Sequence, residues 1–304
     1  MKVAFLFPGQ GVGAEREGRA WCGRSEAVRD LLELGARETG VSLEDQFARA
    51  RRGIMSVEIL EPFHTALCLG VEQELLRRGV RPDLVTGHSL GEVPACASAG
   101  CCSPGEAVAL AAVRGRLMAR EAALKPGGMI ALNGIERETA EAAVAYGRES
   151  GIADIAAHNA PGQWVVSGEW AALRRLSTRF QGTPVLVSGA WHGGVLAGAQ
   201  AEFRTAVRSA ISGELRMPFV ANRTGLAVER ADELPDLLAD QLTNPVQWVR
   251  TMETLAGLGV TDFVIVGPGR VLRGLIWLNL GADAVVHSTD TLDDLDRVGR
   301  AIVR

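Results

Sequence analysis

Apolar residues along this chain come in two rhythms. Short unbroken runs, Val3-Ala4-Phe5-Leu6-Phe7, Leu84-Val85 and Phe263-Val264-Ile265-Val266, predict strands buried on both faces, as in a parallel sheet. Longer stretches repeat apolar residues at helical spacing. Residues 58–78 place Leu60, Ala66, Leu67, Val71 and Leu75 toward one side. Ser103-Pro104-Gly105-Glu106 reads as a helix start, with serine as cap and proline in the first turn, and that helix runs to about residue 124. Charged, helix-compatible sequence fills residues 14–52, and Arg81-Pro82-Asp83 marks a turn.

Between residues 126 and 187 the rhythm changes. Strand-like 129–132, helical 136–148, strand-like 153–158 and 164–167, helical 171–180 and strand-like 184–187 follow in order. That order, β-α-β-β-α-β, is the ferredoxin-like arrangement. Beyond residue 192 helix and strand alternate again, with 271–278 helical. The pattern predicts an α/β chain in which residues 1–125 and 188–304 form one unit and 126–187 a small inserted one.

The 304 residues suit one large domain carrying an insert, and 47% hydrophobic residues are ample for its core. A net charge of −4 without long charge runs gives no footprint for nucleic acid or an anionic membrane. No apolar run is long enough to span a bilayer. Five cysteines, two of them adjacent, lack metal-ligand spacing and fit a reducing cytoplasm. No bound metal is expected.

Chemistry concentrates at Gly87-His88-Ser89-Leu90-Gly91-Glu92, between the strand at Leu84-Val85-Thr86 and a helix-compatible run. Gly-x-Ser-x-Gly at such a junction is a nucleophile elbow. The turn is so sharp that glycine is needed on both flanks, and the serine oxygen projects at a helix N-terminus whose N–H groups can hold an oxyanion. Acyl transfer through an ester on Ser89 is the chemistry expected. A serine hydroxyl needs a base, and five histidines are available: His64, His88, His158, His192 and His287.

Further motifs stand in order around the elbow: Phe7-Pro8-Gly9-Gln10-Gly11, Val113-Arg114-Gly115-Arg116, Asn159-Ala160-Pro161-Gly162-Gln163, Ser188-Gly189-Ala190-Trp191-His192, Gln241-Leu242-Thr243-Asn244-Pro245 and Gly267-Pro268-Gly269-Arg270. From residue 1 to about residue 280 the set resembles the malonyl-CoA:acyl carrier protein transacylase family, which includes the acyltransferases of fatty acid and polyketide synthases. The resemblance implies an α/β-hydrolase-like large subdomain with an inserted ferredoxin-like small one. It implies His192 as base, oriented by a carbonyl of Gln241, and an oxyanion hole from the backbone of Leu90 and Gln10. Arg114 would pair with the free carboxylate of a malonyl group, its planar fork matching that carboxylate as lysine could not. Trp191, His88 and Asn159 complete the expected substrate-binding set.

With the cysteine usage pointing to the cytoplasm, a cytoplasmic monomer is expected. By the same resemblance the protein would move malonyl from CoA to the phosphopantetheine thiol of an acyl carrier protein, with no bound cofactor. A proofreading acyl-hydrolase of the same fold is the alternative. Arg114 separates the two, because a hydrolase of neutral acyl groups has no use for a carboxylate clamp and a buried unpaired arginine is costly. A general esterase would want an acidic residue to orient the histidine, and a docking module without catalysis would not need Ser89, His192, Gln10 and Arg114 together.

The chain departs from the family pattern at four places. Trp191 replaces a common phenylalanine and should crowd a substituent on the acyl α-carbon. Gly193-Gly194 replaces a usual serine or cysteine and should open the loop. Glu61-Pro62-Phe63-His64 stands for Gln-Pro-Ala-Leu, and Gly11-Val12-Gly13 for Gly-Ser-Gln.

Overall fold

The computed structural model describes residues 1–10, 18–52 and 55–303. The Gly11-Val12-Gly13 motif and the start of the predicted helical stretch at 14–17 lie outside the described residues. In chain order the elements are β1 (Val3–Phe7), α1 (Gly18–Arg24), α2 (Glu26–Thr39), α3 (Leu43–Arg52), α4 (Val57–Arg77), β2 (Leu84–Gly87), α5 (Glu92–Ser98) and α6 (Pro104–Leu124). Then come β3 (Gly127–Asn133), α7 (Arg137–Arg148), β4 (Ala153–Ala160), β5 (Gln163–Glu169), α8 (Trp170–Ser177) and β6 (Thr183–Pro184). The chain continues with α9 (Gln200–Ala210), β7 (Phe219–Ala221), β8 (Leu226–Val228), α10 (Leu234–Gln241), α11 (Trp248–Gly257), β9 (Asp262–Ile265), α12 (Arg270–Leu280), β10 (Val285–Ser288) and α13 (Leu292–Ile302).

A six-stranded sheet in the order β10-β9-β1-β2-β7-β8 forms the large unit. Its neighbours are parallel except the terminal pair β7–β8. Every residue of β1 and of β2 is buried, which explains their unbroken apolar sequence. Helices α2, α4 and α6 pack together beside this sheet. Helix α6 starts as expected. Ser103 caps it, accepting a bond from the Glu106 N–H at 3.2 Å while the Glu106 carboxylate takes the Ser103 N–H at 2.7 Å. Helix α4 differs from expectation. It is buried all round from Ile59 to Glu72 rather than on one side, because it runs between α2 and α6 and also meets α5.

The second sheet is antiparallel, in the order β4-β5-β3-β6. With α7 and α8 it makes the ferredoxin-like unit, carrying its own small core of Ile130, Leu132, Val144, Val166, Leu173 and Leu176. Thus the fold is α/β, an α/β-hydrolase-like large subdomain with a ferredoxin-like small one. Strand β6 is shorter than expected and ends at Pro184, which cannot donate to a ladder. Strand β4 is longer, and its register shifts between His158 and Ala160, so Asn159 is bulged out of the ladder. The same strand is tied to the other unit. His158 N–H reaches the Val246 carbonyl, and Val246 N–H the Ala156 carbonyl, each at 2.9 Å.

Candidate active site

The elbow begins where β2 ends. A Cβ added at Gly87 would lie 2.0 Å from the backbone carbon of Gly91, and one at Gly91 would lie 2.0 Å from the Phe7 carbonyl oxygen. Both glycines are therefore imposed by close backbone approach. Between them Ser89 adopts φ +54°, a left-handed conformation that costs a non-glycine residue about 1–3 kcal/mol. A short 3₁₀ turn, Ser89–Gly91, then leads into α5.

What holds Ser89 in that conformation is a residue outside the expected set. Asn222, fully buried just after β7, accepts the Ser89 N–H on Oδ1 at 2.7 Å and donates from Nδ2 to the Gly87 carbonyl at 2.6 Å. Its own N–H goes to Glu92 at 2.6 Å. The elbow is clamped from both sides of the serine. Because the Ser89 N–H is engaged, an oxyanion has to find donors elsewhere. Leu90 and Gln10, the expected pair, both line the cavity in front of Ser89.

Ser89 Oγ lies 2.7 Å from His192 Nε2, and His192 Nδ1 lies 2.8 Å from the main-chain carbonyl of Gln241. A carbonyl can only accept, so Nδ1 carries the proton. Nε2 is then bare and accepts from the serine hydroxyl. Burial holds the imidazole far below the ordinary histidine value, at about 3, with the Arg114 charge adding to the effect and the Gln241 bond opposing it. His192 is thus neutral, the form a base requires. It too is left-handed, at φ +59°.

The Gly193-Gly194 pair after it does not open the loop as expected. The Gly194 N–H bonds the Asp154 carboxylate at 2.7 Å, and a Cβ at Gly193 would meet Ser167 Oγ at 2.8 Å and Asp154 Oδ2 at 3.0 Å. The glycines let the histidine loop lie tight against β4 and β5.

Gln241 also acts through its side chain, which the sequence reading did not foresee. Its amide donates to the Ser89 carbonyl at 2.9 Å and to Glu92, and its Oε1 accepts from Arg114 at 3.0 Å. Burial pushes the Glu92 carboxyl up to about 8, against the N–H bonds from Asn222 and Gln241 that favour its charge.

A cavity of about 700 Å³ opens in front of the serine, between the elbow, the small sheet and the start of α12. Gln10, His88, Ser89, Leu90, Asn159, Trp191 and His192 all line it, so one space collects seven of the nine expected residues. His88 Nε2 donates to Asn159 Oδ1 at 2.9 Å, tying the elbow to the β4 bulge. The Trp191 ring is 4% exposed and packs where a Cβ on Gly189 would be.

Of the other two, Gln241 stands behind the histidine. Arg114 departs from expectation. It is 1% exposed, does not line the cavity, and gives Nη1 to the Glu61 carboxylate and Nη2 to Gln241. Glu61 lines the cavity in its place. Among the described residues there is no cluster of three or more metal-ligating side chains, and no helix is long and apolar enough to cross a membrane.

A serine on a strained strand-to-helix turn, a neutral histidine in contact with it and an open cavity in front of both define a serine-dependent acyl-transfer site. Residues 4–268 match the acyl transferase domain family, and the chain belongs to that family and is an acyltransferase. It is 28% identical to the malonyl CoA-acyl carrier protein transacylase of Staphylococcus aureus strain MW2, over 97% of both chains. It is 30% identical over 283 residues to the polyketide biosynthesis protein PksE of Bacillus subtilis, of whose length it spans only 36%. The crystal structure of an acyl-carrier-protein S-malonyltransferase from Bartonella henselae superposes with a TM-score of 0.91 at 25% identity, covering 99% of each chain.

Proposed function

We propose that the protein transfers a malonyl or related carboxyacyl group from CoA to the phosphopantetheine thiol of an acyl carrier protein, by a ping-pong route through an ester on Ser89. The observation that carries this reading is the unbroken line from Ser89 Oγ through His192 to the Gln241 carbonyl, at the wall of a cavity of about 700 Å³. His192 Nε2 takes the hydroxyl proton as Oγ attacks the thioester carbonyl. Gln10 and Leu90 N–H groups receive the developing oxyanion. The imidazolium returns the proton to the departing CoA sulfur. The carrier's thiol then repeats the sequence in reverse, leaving Ser89 free.

A neutral carbonyl behind His192, in place of a carboxylate, leaves the imidazolium poorly stabilised. The carrier's thiol as attacking group needs little help from a base, whereas water needs a stronger one. That asymmetry favours transfer over hydrolysis. Arg114 is the group proposed to meet the acyl carboxylate, with His88, Asn159 and Trp191 shaping the cavity. We assign residues 1–125 and 188–304 to the catalytic unit and 126–187 to the small one, and place the protein as a monomer in the cytoplasm, in fatty acid or polyketide synthesis. The test is a chase. Enzyme pre-loaded with malonyl should pass it to a holo acyl carrier protein at least tenfold faster than to water. Equal loss to water with and without the carrier would overturn the transfer reading.

A further inference from the structure

Glu61 stands where a substrate carboxylate would be expected. It comes from α4, Arg114 from α6, and both are almost completely buried, with 4% of the Glu61 and 1% of the Arg114 side chain exposed. The arginine's remaining described bond goes to Gln241, so the face of its fork turned to α4 is committed. Glu61 Oε2 has no hydrogen-bond partner among the described residues. Glu61, not Arg114, forms cavity wall. A second carboxylate entering this cavity therefore meets a guanidinium whose charge is already matched, with a like charge beside it, and like charges in one buried site strongly disfavour each other.

We propose that Glu61 is a specificity-determining residue of this acyltransferase, an internal rival to the substrate carboxylate for Arg114. The inference rests on the transfer reading above. A neutral amide at this position would still accept from Arg114 through its oxygen, yet leave the positive charge uncompensated for the substrate. With glutamate, the advantage of a carboxyacyl group over an uncharged one is compressed. Such a pocket takes carboxyacyl groups at a raised KM and does not turn away acyl groups without a carboxylate. Burial raises the Glu61 carboxyl above its ordinary range, against the Arg114 charge and hydrogen bond that favour its ionised form.

The test is Glu61→Gln, read as the ratio of kcat/KM for malonyl-CoA over acetyl-CoA. A charge-assisted bond to a free guanidinium is worth about 10- to 150-fold in selectivity. The ratio should therefore rise at least about tenfold, chiefly through a lower KM for malonyl-CoA. A smaller rise, or a fall, overturns the proposal. Since the variant buries an arginine without its counter-charge and could fold poorly, the wild type supplies a second reading. Malonyl-CoA and its uncharged methyl ester should label wild-type protein with kcat/KM values within about tenfold of each other. A larger preference for the free acid means that Arg114 is not screened and overturns the proposal. If neither thioester labels the protein, the transfer reading itself fails, an outcome distinct from labelling with an unaltered ratio.

Discussion

Removing Asn222 should disable the nucleophile without touching it. The side chain makes two bonds that matter, accepting from the Ser89 N–H and donating to the Gly87 carbonyl, on either side of a serine held at φ +54°. Alanine at 222 strands one buried donor and one buried acceptor, each at about 1–3 kcal/mol. It also frees a backbone that relaxation of the left-handed serine would reward by about 1–3 kcal/mol. The elbow can recover part of the first cost by adopting an ordinary turn, in which Oγ no longer meets His192. About 3 kcal/mol of preference for the relaxed form corresponds to roughly a 10²-fold loss in the rate of Ser89 acylation. The assay is stopped-flow acylation by malonyl-CoA, with thermal unfolding in parallel. Asn222→Ala should lose about two decades in kcat/KM and several degrees in melting temperature. Asn222→Asp keeps the acceptor for Ser89 N–H but places oxygen against the Gly87 carbonyl, and should rescue only part of the loss. An Asn222→Ala enzyme within threefold of wild type would refute the idea that this residue holds the elbow in its working shape.

Two more outcomes follow from the same geometry. Because the folded-state value of His192 is depressed to about 3, the neutral base persists as pH falls and is lost only as pH drops through that value. Acylation kcat/KM should stay level from about pH 7, below the Glu92 value of about 8, down to about pH 5, and an inflection near the ordinary histidine value of about 6.5 would contradict the burial argument. Gly193→Ser would push a Cβ against Ser167 and against Asp154, whose carboxylate holds the loop bearing His192. It should destabilise the protein by about 1–3 kcal/mol and slow acylation, and an unchanged melting temperature would show that the loop has the room once expected of it.

Local pattern made much of this molecule legible. The buried runs became the parallel strands, the Ser103 start capped α6, and the order of elements between 126 and 187 gave the small antiparallel sheet. Gly87 and Gly91 were readable because a sharp turn demands glycine on both flanks. The ordered motifs pointed to Ser89, His192 and Gln241 before any distance was known. Asn222 carried no such signal. It is a lone polar residue after a three-residue strand, 133 positions from the N–H it holds. Glu61 was visible only as a departure from a family pattern, and its meaning depends on a partner 53 positions away on another helix. For α4, apolar spacing marked one face. It missed that Glu61 and His64 on other faces are buried too, since polar residues that find partners inside look like surface in a sequence.

The central claim is an acyl ester on Ser89, and the mass of the intact protein tests it most directly. After brief exposure to malonyl-CoA, wild-type protein should gain one malonyl group, found after proteolysis on the peptide that carries Ser89. Ser89→Ala should gain none, and His192→Ala should gain it at least about 10²-fold more slowly. A malonyl group that still appears on Ser89→Ala, or that maps to another peptide in the wild type, would contradict the account.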